Sequence, residues 1–283
     1  MTTVVVIGSV NLDLVATVER LPVPGETVTG AVLTRFPGGK GANQALAARR
    51  LGADVSLLAC VGDDAAADEA LALLRENRVD LSSCRRISHA ATGTALIAVA
   101  SSGENHIVVA PGANRELACD ALTLPQADAL ICQLEVPIDT IVRAAATFSG
   151  FFAVNLAPAM HVDVAILQRA DLVVVNESEA AWYGASLDAC EGLVATTYGA
   201  DGAALARRGR ELARATPPAV EAIDTTAAGD AFTAALTLAL VEGETPDAAL
   251  RFACAAGAAA TTKMGAQPSL PTREEIDTLL QRH

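Results

Sequence analysis

A regular alternation of short apolar runs with helical segments constrains the fold of this chain more than any other feature. The alternation begins near residue 125 and continues to residue 197. Strand–helix alternation of this kind specifies a parallel sheet with helices on both faces. The expected strands are 127–134, 151–156, 172–175 and 193–197, and the expected helices are 137–148, 162–169 and 177–183. We therefore predict an α/β fold with a doubly wound, mostly parallel sheet.

The remaining chain extends this pattern at both ends. A β-branched run at 4–7 and an apolar run at 54–61 predict further buried strands, and 202–215 predicts a hairpin. Thr272 and Glu275 are spaced as a helix-capping box. The further expected helices are 41–51, 63–77 with Asp63 as its N-cap, 231–241, 247–263 and 272–281.

Four segments have a different pattern, with polar and apolar residues alternating at a period near two. This period is typical of half-exposed antiparallel strands. The segments are 11–18, 26–36, 95–100 and 106–110. We expect them to form a small β-sheet lid, contributed non-contiguously by about residues 11–36 and 91–110. The chain, 1–283, is then a single α/β domain with this lid.

Charge and composition exclude several classes of partner. The net charge is −13 and the isoelectric point is near 4.7, so no basic stripe is available for nucleic acid. Apolar runs such as 253–260 are too short to cross a membrane, and the chain starts without a secretion signal. Six cysteines without a C-x-x-C pair predict reduced thiols. We expect a cytoplasmic protein with no nucleic-acid or membrane partner.

The loop 224–230, Asp-Thr-Thr-Ala-Ala-Gly-Asp, leads directly into an apolar helical segment. A helix start leaves backbone N–H groups unpaired, and together with the helix dipole they form an anion site. Asp230 lies in the same turn. This combination fits phosphoryl transfer, in which the N–H groups hold developing negative charge and the carboxylate takes a proton from a hydroxyl. Taken alone, the motif fits better an ordinary helix start in which Asp230 complements the dipole, because acidic residues are common in the first turn of a helix.

Polar residues converge on the same edge of the predicted sheet. Ligands bind at the carboxyl ends of the strands in an open parallel sheet. The residues that follow predicted strands are Asn11, Asp13, Glu135, Asn155, Asn176, Thr197 and the loop 224–230. Their convergence favours the functional interpretation of that loop.

Two short motifs near the N-terminus can bind hydroxyl groups. Residues 38–43, Gly-Gly-Lys-Gly-Ala-Asn, open a helix, and Lys40 and Asn43 carry hydrogen-bonding groups. The spacing differs from that of a P-loop, and no dinucleotide fingerprint is present. Asn11 and Asp13 share one strand face and could bind vicinal hydroxyls of a sugar. The alternatives are a Gly-rich turn with a solvated lysine and the polar face of an edge strand.

Residues 176–179, Asn-Glu-Ser-Glu, lie between a strand and a helix. Carboxylates at this position could organise a hydrated magnesium ion, which keeps most of its waters. The alternative is helix capping, with Asn176 as the cap and two acids in the first turn. The two roles are compatible.

Taken together, these residues resemble the ribokinase/phosphofructokinase-B family of sugar kinases, and its ribokinase branch in particular. The resemblance covers nearly the whole chain. It is carried by ten ordered segments: 8–13, 24–27, 38–43, 61–64, 103–105, 111–114, 133–135, 176–179, 224–230 and 265–269.

The resemblance implies a ribokinase-like fold and transfer of the γ-phosphoryl group of ATP to the 5-hydroxyl of D-ribose. Asp230 is then the general base, and the backbone N–H groups of Ala227, Ala228 and Gly229 form the anion hole. The implied sugar-binding residues are Asn11, Asp13, Gly39, Lys40, Gly41, Asn43 and Glu135, with Asp230 facing the reacting hydroxyl. The implied nucleotide-binding residues are Asn176, Thr197, Gly199, Ala200, Asp201, Gly202, Gly229 and Cys254.

The resemblance also implies two metal ions and a homodimer formed through the lid. Glu179 resembles the residue that helps to organise Mg²⁺ indirectly. The residues matching a K⁺ site are Asp224, Thr226, Ala260, Lys263, Gly265 and Ser269. The chain departs from the family in a short 180–196 region, in the acid at Asp201 and in the thiol at Cys254.

Other interpretations remain open on sequence alone. Within the family, the substrate could be a nucleoside, fructose or a keto-deoxy sugar acid. A non-catalytic sugar-binding protein would keep the same fold. A Rossmann dehydrogenase is disfavoured because the dinucleotide fingerprint is missing.

Overall fold

The structure is a computed structural model that describes residues 1–118 and 124–282. Its strands are β1 (Thr3–Ile7), β2 (Asn11–Val18), β3 (Val32–Gly38), β4 (Asp54–Gly62), β5 (Cys84–Ile87), β6 (Gly93–Ala100), β7 (Asn105–Ala110), β8 (Ala129–Gln133), β9 (Phe151–Asn155), β10 (Leu172–Asn176), β11 (Leu193–Thr197), β12 (Ala203–Arg207) and β13 (Arg210–Ala215). Its α-helices are α1 (Lys40–Arg50), α2 (Ala65–Ala70), α3 (Ala72–Glu76), α4 (Ile138–Thr147), α5 (Val164–Arg169), α6 (Glu177–Tyr183), α7 (Ala228–Val241), α8 (Pro246–Ala260), α9 (Ala266–Ser269) and α10 (Arg273–Gln281). Short 3₁₀ turns lie at Gly112–Glu116, Gly184–Ala189 and Gly199–Asp201.

The main sheet has nine strands in the order β13-β12-β11-β10-β9-β8-β1-β4-β5. Neighbouring strands from β11 to β5 pair in parallel, and β12 is antiparallel to both of its neighbours. Alternate residues of β1 enter opposite cores: Val4 and Val6 pack with α1, α7 and α8, and Val5 and Ile7 pack with α4 and α5. Burial on both faces confirms the predicted doubly wound α/β fold.

The small sheet has four strands in the order β3-β2-β6-β7. The predicted antiparallel pairings of β2 with β3 and of β6 with β7 are confirmed, and β2 also pairs in parallel with β6. Strand β3 is shorter than the predicted segment 26–36, because it begins at Val32 instead of residue 26. Since β2 is an interior strand, Asn11 and Asp13 do not lie on a solvent-facing edge; both are buried.

Several predicted helix limits are wrong by a few residues, and these differences matter at the site. The N-cap of α2 is Asp64 instead of Asp63, because the Asp64 carboxylate accepts the N–H of Ala67 at 2.9 Å. The predicted helix 63–77 is also broken at Leu71 into α2 and α3. Helix α7 begins at Ala228, so Asp230 lies within its first turn. The capping box of Thr272 and Glu275 is confirmed.

Small residues allow the elements around the site to approach closely. A Cβ on Gly41 would lie 2.5 Å from the carbonyl carbon of Gly8, so only glycine lets α1 start directly above the end of β1. A Cβ on Gly257 of α8 would lie 3.3 Å from the carbonyl oxygen of Ala228, the first residue of α7. Such packing suits a chain with only 3% aromatic residues. It brings the starts of α1 and α7 to the same edge of the sheet.

The predictions about cysteines and about membrane spans can be compared with the described residues. Five of the six cysteines (Cys60, Cys84, Cys132, Cys190 and Cys254) are free thiols, and Cys119 lies outside the described residues. None of the described helices has the length and apolar character that a membrane span requires.

Candidate active site

The carboxylate of Asp230 is buried between α7 and α1. Asn43 donates from Nδ2 to Asp230 Oδ2 at 2.8 Å, and Gln44 donates from Nε2 to Asp230 Oδ1 at 2.8 Å. Both donors are buried in the first turns of α1. Each carboxylate oxygen therefore has its own amide donor, and the orientation of the group is fixed.

Opposing effects set the protonation of Asp230. Burial raises the pKa of its carboxyl above the ordinary value, and the nearby Glu135 acts in the same direction. The Lys40 ammonium and the amides of Asn43 and Gln44 act against this rise. A carboxylate with a raised pKa is a better proton acceptor, provided that its donors keep it ionised. Asp230 therefore has the environment of a general base.

Lys40 is the first residue of α1 and the positive charge of the site. Burial alone would lower the pKa of its ammonium, but Asp230, Glu135 and Glu179 outweigh burial and raise it. Lys40 thus remains charged among three carboxylates. They are Asp230, Glu135 after β8, and Glu179 in the first turn of α6. A cation at this position can stabilise negative charge on a bound anion.

Asp13 is a buried carboxylate that faces the same group of acids. Its pKa is raised to about 7, first by burial and then by Glu135 and Asp230. Among the described residues, none donates a hydrogen bond to this carboxylate. Gly38 gives it room, since a Cβ there would lie 2.1 Å from Asp13 Oδ2. Asp13 therefore retains its acceptor capacity for hydroxyl groups of a ligand.

Asn11 and Glu135 are held by neighbours that leave part of each group free. Asn114 donates from Nδ2 to Asn11 Oδ1 at 2.8 Å, so the NH₂ group of Asn11 remains available as a donor. Glu135 Oε2 accepts the hydroxyl of Ser9 and the N–H of Lys40, the latter at 3.2 Å, which leaves Oε1 free. Together with Asp13, these groups form a set of donors and acceptors suited to a polyhydroxylated ligand, with Asn11 and Asp13 buried and Glu135 partly buried.

The glycines of residues 38–43 bring backbone close to this set. Gly39 has a φ of 87°, and a Cβ on it would lie 2.7 Å from the backbone nitrogen of Asn11. Gly41 lies against Gly8. The predicted sugar-binding residues Asn11, Asp13, Gly39, Lys40, Gly41, Asn43 and Glu135 are therefore gathered around the start of α1.

The first turn of α7 only partly matches the predicted anion hole. Ala228 donates its N–H to the carbonyl of Thr225 at 3.2 Å, so this group is not free as the sequence suggested. The reason is the tight turn 225–228, which closes before the helix begins. For Ala227, Gly229 and Asp230, the described part of the chain supplies no acceptor to the backbone N–H. Gly229 is exposed, and a Cβ on it would meet open space.

Asp224 joins the loop before α7 to the segment after α8. Asp224 Oδ1 accepts the N–H of Thr226 at 2.9 Å, and Oδ2 accepts the N–H of Gly265 at 2.8 Å. Ser269 donates its hydroxyl to the carbonyl of Ala266 at 2.8 Å, which leaves its lone pairs free. This segment therefore concentrates carboxylate, hydroxyl and carbonyl oxygens, the ligands that hard cations prefer.

The other residues predicted for a monovalent cation lie at the end of α8 and beyond. Ala260 is the last residue of α8 and is buried. Lys263 follows the helix, instead of ending it as predicted, and its Nζ pairs with Glu275 at 2.8 Å. Its side chain is therefore directed to α10, and only its backbone could face the oxygens of Asp224.

The predicted nucleotide residues lie at the ends of β10 and β11. Asn176 and Thr197 are paired directly across these two strands. Residues Gly199–Asp201 form a 3₁₀ turn. Gly199, its first residue, has a φ of 59°, and Gly202, the residue after it, has a φ of 97°. A Cβ on Gly202 would lie 2.0 Å from the carbonyl oxygen of Ala215. Residues 199–201 are exposed after the carboxyl end of β11, whereas Gly202 is buried.

Asn176 and Glu179 form the capping box of α6, so the capping alternative is correct. Asn176 Oδ1 accepts the N–H of Glu179 at 2.8 Å, and Glu179 Oε2 accepts the N–H of Asn176 at 2.8 Å. Burial raises the pKa of Glu179, although Lys40 acts against it. One carboxylate oxygen of Glu179 stays free for the water of a hydrated metal ion. The described residues contain no group of three or more His, Cys, Asp or Glu arranged to hold a metal directly.

Cys254 is buried in α8 with its thiol directed to the carbonyl of Ala215 at 3.7 Å. Burial raises the pKa of the thiol to about 11. Ala215 is also the residue against which Gly202 packs. Cys254 is therefore close to the 199–202 turn, as a residue lining a nucleotide site would be, but it contributes a neutral, mostly covered sulfur.

Comparisons with known proteins agree with this geometry. Residues 1–273 match the family described as pfkB family carbohydrate kinase. The chain is 38% identical over 302 residues to a ribokinase of Haemophilus influenzae, with 99% of this chain and 98% of the relative covered. The chain belongs to the pfkB family of carbohydrate kinases. The predicted family is therefore confirmed.

Solved structures extend the similarity to the fold of this carbohydrate kinase. A ribokinase of Thermotoga maritima matches with a TM-score of 0.90 and 32% identity, covering 99% of this chain and 100% of the other. A ribokinase of Arabidopsis thaliana, described as complexed with ribose and ATP, matches with a TM-score of 0.86 and 28% identity over 99% of each chain. The two-sheet architecture is thus shared with ribokinases over its whole length.

Three residues that bond to members of the candidate site were not predicted from the sequence. Gln44 donates to Asp230, Asn114 orients Asn11, and Ser9 donates to Glu135. Gln44 was recognisable as a polar residue within an alanine-rich helix, and Asn114 ends one of the segments that carry the family resemblance. Their roles depend on side-chain partners far away in the sequence, and residue patterns do not specify such partners.

Proposed function

We propose that this protein is an ATP-dependent ribokinase that transfers the γ-phosphoryl group of ATP to the 5-hydroxyl of D-ribose. The observation that carries the proposal is the buried carboxylate of Asp230, held by Asn43 and Gln44 at the start of α7 beside Lys40. It lies in the same cluster as the polar residues of β2. The similarity to ribokinases over nearly the whole chain supports ribose as the acceptor.

The sugar is assigned to the polar set around β2 and α1. The carboxylates of Asp13 and Glu135 would accept hydrogen bonds from ribose hydroxyls, and the amide of Asn11 would donate one. Burial of these groups supports selectivity, because a ligand lacking the matching hydroxyls would leave them unpaired. The full proposed set is Asn11, Asp13, Gly39, Lys40, Gly41, Asn43 and Glu135.

In the proposed reaction, Asp230 takes the proton of the 5-hydroxyl as the oxygen attacks the γ-phosphorus. The new O–P bond forms while the bond to the β-phosphate oxygen breaks, and ADP leaves with the bonding electron pair. Backbone N–H groups of Ala227 and Gly229 would bind the developing negative charge. Ala228 would join them only if its N–H leaves the carbonyl of Thr225. Lys40 adds a positive charge near Asp230.

The nucleotide is assigned to the carboxyl ends of β10 and β11. The proposed residues are Asn176, Thr197, Gly199, Ala200, Asp201, Gly202, Gly229 and Cys254. The positive-φ glycines of the 199–202 turn support this assignment, because they leave backbone accessible to a ligand. A hydrated Mg²⁺ oriented through the free oxygen of Glu179 would neutralise phosphate charge.

A monovalent cation, K⁺, is assigned to the oxygen-rich segment around Asp224. The proposed ligands are Asp224 and Ser269 by side chain, and Thr226, Ala260, Lys263 and Gly265 by backbone carbonyl. The hydrogen bond of Asp224 to Gly265 supports the assignment, because it holds the two contributing segments together. A fixed cation there would polarise the 224–230 loop, which must bind charge in the transition state.

An ATP-coupled assay over a panel of sugars and nucleosides tests the substrate and the cation together. ADP formation is expected to be faster with D-ribose than with fructose, a keto-deoxy sugar acid or any nucleoside, and faster in K⁺ than in a buffer whose only monovalent cation is a bulky organic one. Faster turnover of a nucleoside would reject ribose as the substrate. Equal rates in the two buffers would reject the cation site, and ribose binding without ADP formation would indicate a non-catalytic protein.

A cytoplasmic location is also proposed. The five described thiols are unpaired, which suits a reducing compartment. ATP, the phosphoryl donor in the proposed reaction, is abundant there.

We assign the exposed face of the small sheet to a second copy of this chain, so that the sheet acts as both lid and dimer interface. The strand register places Asp13 and Val15 on one face together with Ile97, Ile107 and Val109. On the opposite face, Arg35 pairs with Glu69 of α2, at 3.0 Å. The Asp13 face therefore points away from α2, and its apolar end is open.

Exposure and edge geometry support self-association of this face. Ile107 is 55% exposed and Val109 is 47% exposed on β7, an edge strand with all six residues exposed. A long apolar edge strand is an aggregation hazard unless something covers it. A two-fold contact between two such faces would cover both at once.

Replacing Ile107 and Val109 together by glutamate is expected to convert the protein from dimer to monomer, because like charges would face each other across the two-fold axis. Light scattering coupled to size-exclusion chromatography measures the change. Val164→Glu is the matched control, since Val164 is 51% exposed on α5, beside the main sheet. A double variant that remains dimeric, or a wild-type protein that is monomeric, would contradict the assignment.

A further inference from the structure

A chain of buried amides connects Asp230 to the centre of the main sheet. Gln133 donates from Nε2 to Gln44 Oε1 at 2.6 Å, and Gln44 donates from Nε2 both to Asp230 Oδ1 at 2.8 Å and to Asn155 Oδ1 at 3.3 Å. Asn155 donates from Nδ2 to the carbonyl of Val174 at 3.1 Å. Gln44, Gln133 and Asn155 are all buried, and none belongs to the proposed sugar set.

The carbonyl of Val174 determines the direction of the hydrogen bonds that run through Asn155 and Gln44 to Asp230. The carbonyl of Val174 can only accept, so it takes the NH₂ group of Asn155 and turns Asn155 Oδ1 toward Gln44. Gln133 places an NH₂ group against the other side of Gln44. Both neighbours therefore require that Gln44 present its NH₂ group, and not its oxygen, to Asp230. A reversed Gln44 amide would face like groups at every contact.

The charges around Asp230 make this donor important. Asp13 from β2 and Glu135 after β8 both repel a negative charge on Asp230, and burial disfavours the charge further. Lys40 and the amides of Asn43 and Gln44 oppose these effects. Asn43 is assigned to sugar binding and can exchange partners when ribose enters. Gln44 is not assigned to the sugar, so binding of ribose does not require it to give up its hydrogen bond to Asp230.

We infer that Gln44 is a positioning residue for the kinase reaction, held by Gln133 and Asn155 so that its NH₂ group stays on Oδ1 of Asp230 and favours the ionised carboxylate. The inference rests on the proposed role of Asp230 as the base. It assigns to the sheet strands β8 and β9 a function beyond packing: they set the orientation of an amide that itself never touches the substrate.

The test is the pH dependence of kcat in the full-length protein carrying Gln44→Met. Methionine keeps the length of the side chain but lacks the donor. Loss of a hydrogen bond to a charged group is expected to move the acidic limb of the profile upward by about one pH unit, which is about tenfold in kcat below the limb. The rate should recover at alkaline pH, and KM for ribose should change little.

Gln133→Met and Thr140→Val provide a graded series. Gln133→Met leaves the donor in place but removes one of the groups that hold it, so a smaller shift in the same direction is expected. Gln133→Met also tests the inference if Gln44→Met does not fold. Thr140 is a buried residue of α4 whose hydroxyl donates to the carbonyl of Leu117, so its replacement should not move the limb.

The outcomes separate failure of this inference from failure of the proposed function. A fall in kcat that is equal at all pH values, or unchanged profiles in both Gln44→Met and Gln133→Met, would overturn the positioning role. Near-normal turnover in Asp230→Asn would instead overturn the base itself. Thermal unfolding and calorimetric ribose binding, measured for each variant, show whether a lost rate reflects a lost fold.

Discussion

Asp230→Asn is expected to lower kcat by about 10²- to 10⁴-fold, the usual contribution of a general base. Asparagine has nearly the same shape but cannot accept the proton of the attacking hydroxyl. Its NH₂ group would also face the NH₂ group of either Asn43 or Gln44, which both donate to the present carboxylate. Ribose binding should remain measurable, because Asp13, Glu135 and Asn11 are untouched. Steady-state ATP-coupled kinetics and calorimetry measure the two quantities.

Asp247→Asn is the matched control for this variant. Asp247 is an exposed acid in the first turn of α8, so it has the same relation to a helix dipole but lies outside the site. Its replacement should cost at most about 0.3–1 kcal/mol of stability and leave kcat unchanged. Near-normal turnover in Asp230→Asn would return Asp230 to the role of an ordinary dipole partner.

The fold of this protein was largely predictable because the patterns that determine its strands and helices lie within short segments of the sequence. The apolar runs of β8 to β11 and the helices between them specify a parallel sheet whatever the rest of the chain does. The order of the strands was not predictable in the same way. The sequence of residues 3–7 does not indicate that β1 lies between β4 and β8. The position of β1 depends on how α1 and α4 cover opposite faces of the sheet.

Errors at helix ends have a geometric origin. Asp63 and Asp64 are equally good caps by residue type, so residue type alone does not favour the second. In the structure Thr92 donates from its N–H and its hydroxyl to Asp64, which fixes that carboxylate where it also accepts the N–H of Ala67. Thr92 is distant in sequence, so the correct cap depended on a tertiary contact.

Which residues gather around Asp230 was largely predictable, but their hydrogen-bond connections were not. Residues 38–43 and 224–230 were assigned from their types and from the family resemblance, and the structure brings them together at Asp230. Asn155 was predicted at this edge of the sheet, but its link to Asp230 through Gln44 and the contact of Gln133 with Gln44 depend on tertiary contacts that residue types do not specify. The N–H of Ala228 was assigned as free although the turn at Thr225 engages it.

Asp13→Asn is expected to weaken ribose binding by about 10²-fold or more, because a buried carboxylate that accepts hydrogen bonds from hydroxyls contributes about 1.5–3 kcal/mol for each bond. An amide offers one acceptor atom instead of two. Calorimetric titration with ribose measures the loss. Asp80→Asn is a suitable control, because Asp80 is an exposed acid whose own partners are Ser82 and Ser56, far from the sugar set.

The same replacement is expected to stabilise the fold at alkaline pH, which separates a functional carboxylate from a structural one. The pKa of Asp13 is raised from 3.8 to about 7. Between these values the native protein holds a proton that the unfolded chain has lost, so the free energy of unfolding falls as pH rises from 4 to 7. At pH 8 the full cost is present, an upper bound of about 4 kcal/mol.

Thermal unfolding of Asp13→Asn as a function of pH reveals this cost. The variant should have a higher Tm than the wild type at pH 8, and the difference should shrink as pH falls and vanish well below pH 3.8, where Asp13 is protonated in both states. Asp80→Asn should behave in the opposite way, because the N–H of Ser82 lowers the pKa of Asp80 and its charge stabilises the fold above that pKa. Parallel Tm curves for the wild type and Asp13→Asn would mean that the buried charge is compensated within the fold. A gain in stability combined with lost ribose affinity would instead indicate that Asp13 is kept for the ligand, since the folded protein alone is less stable with it.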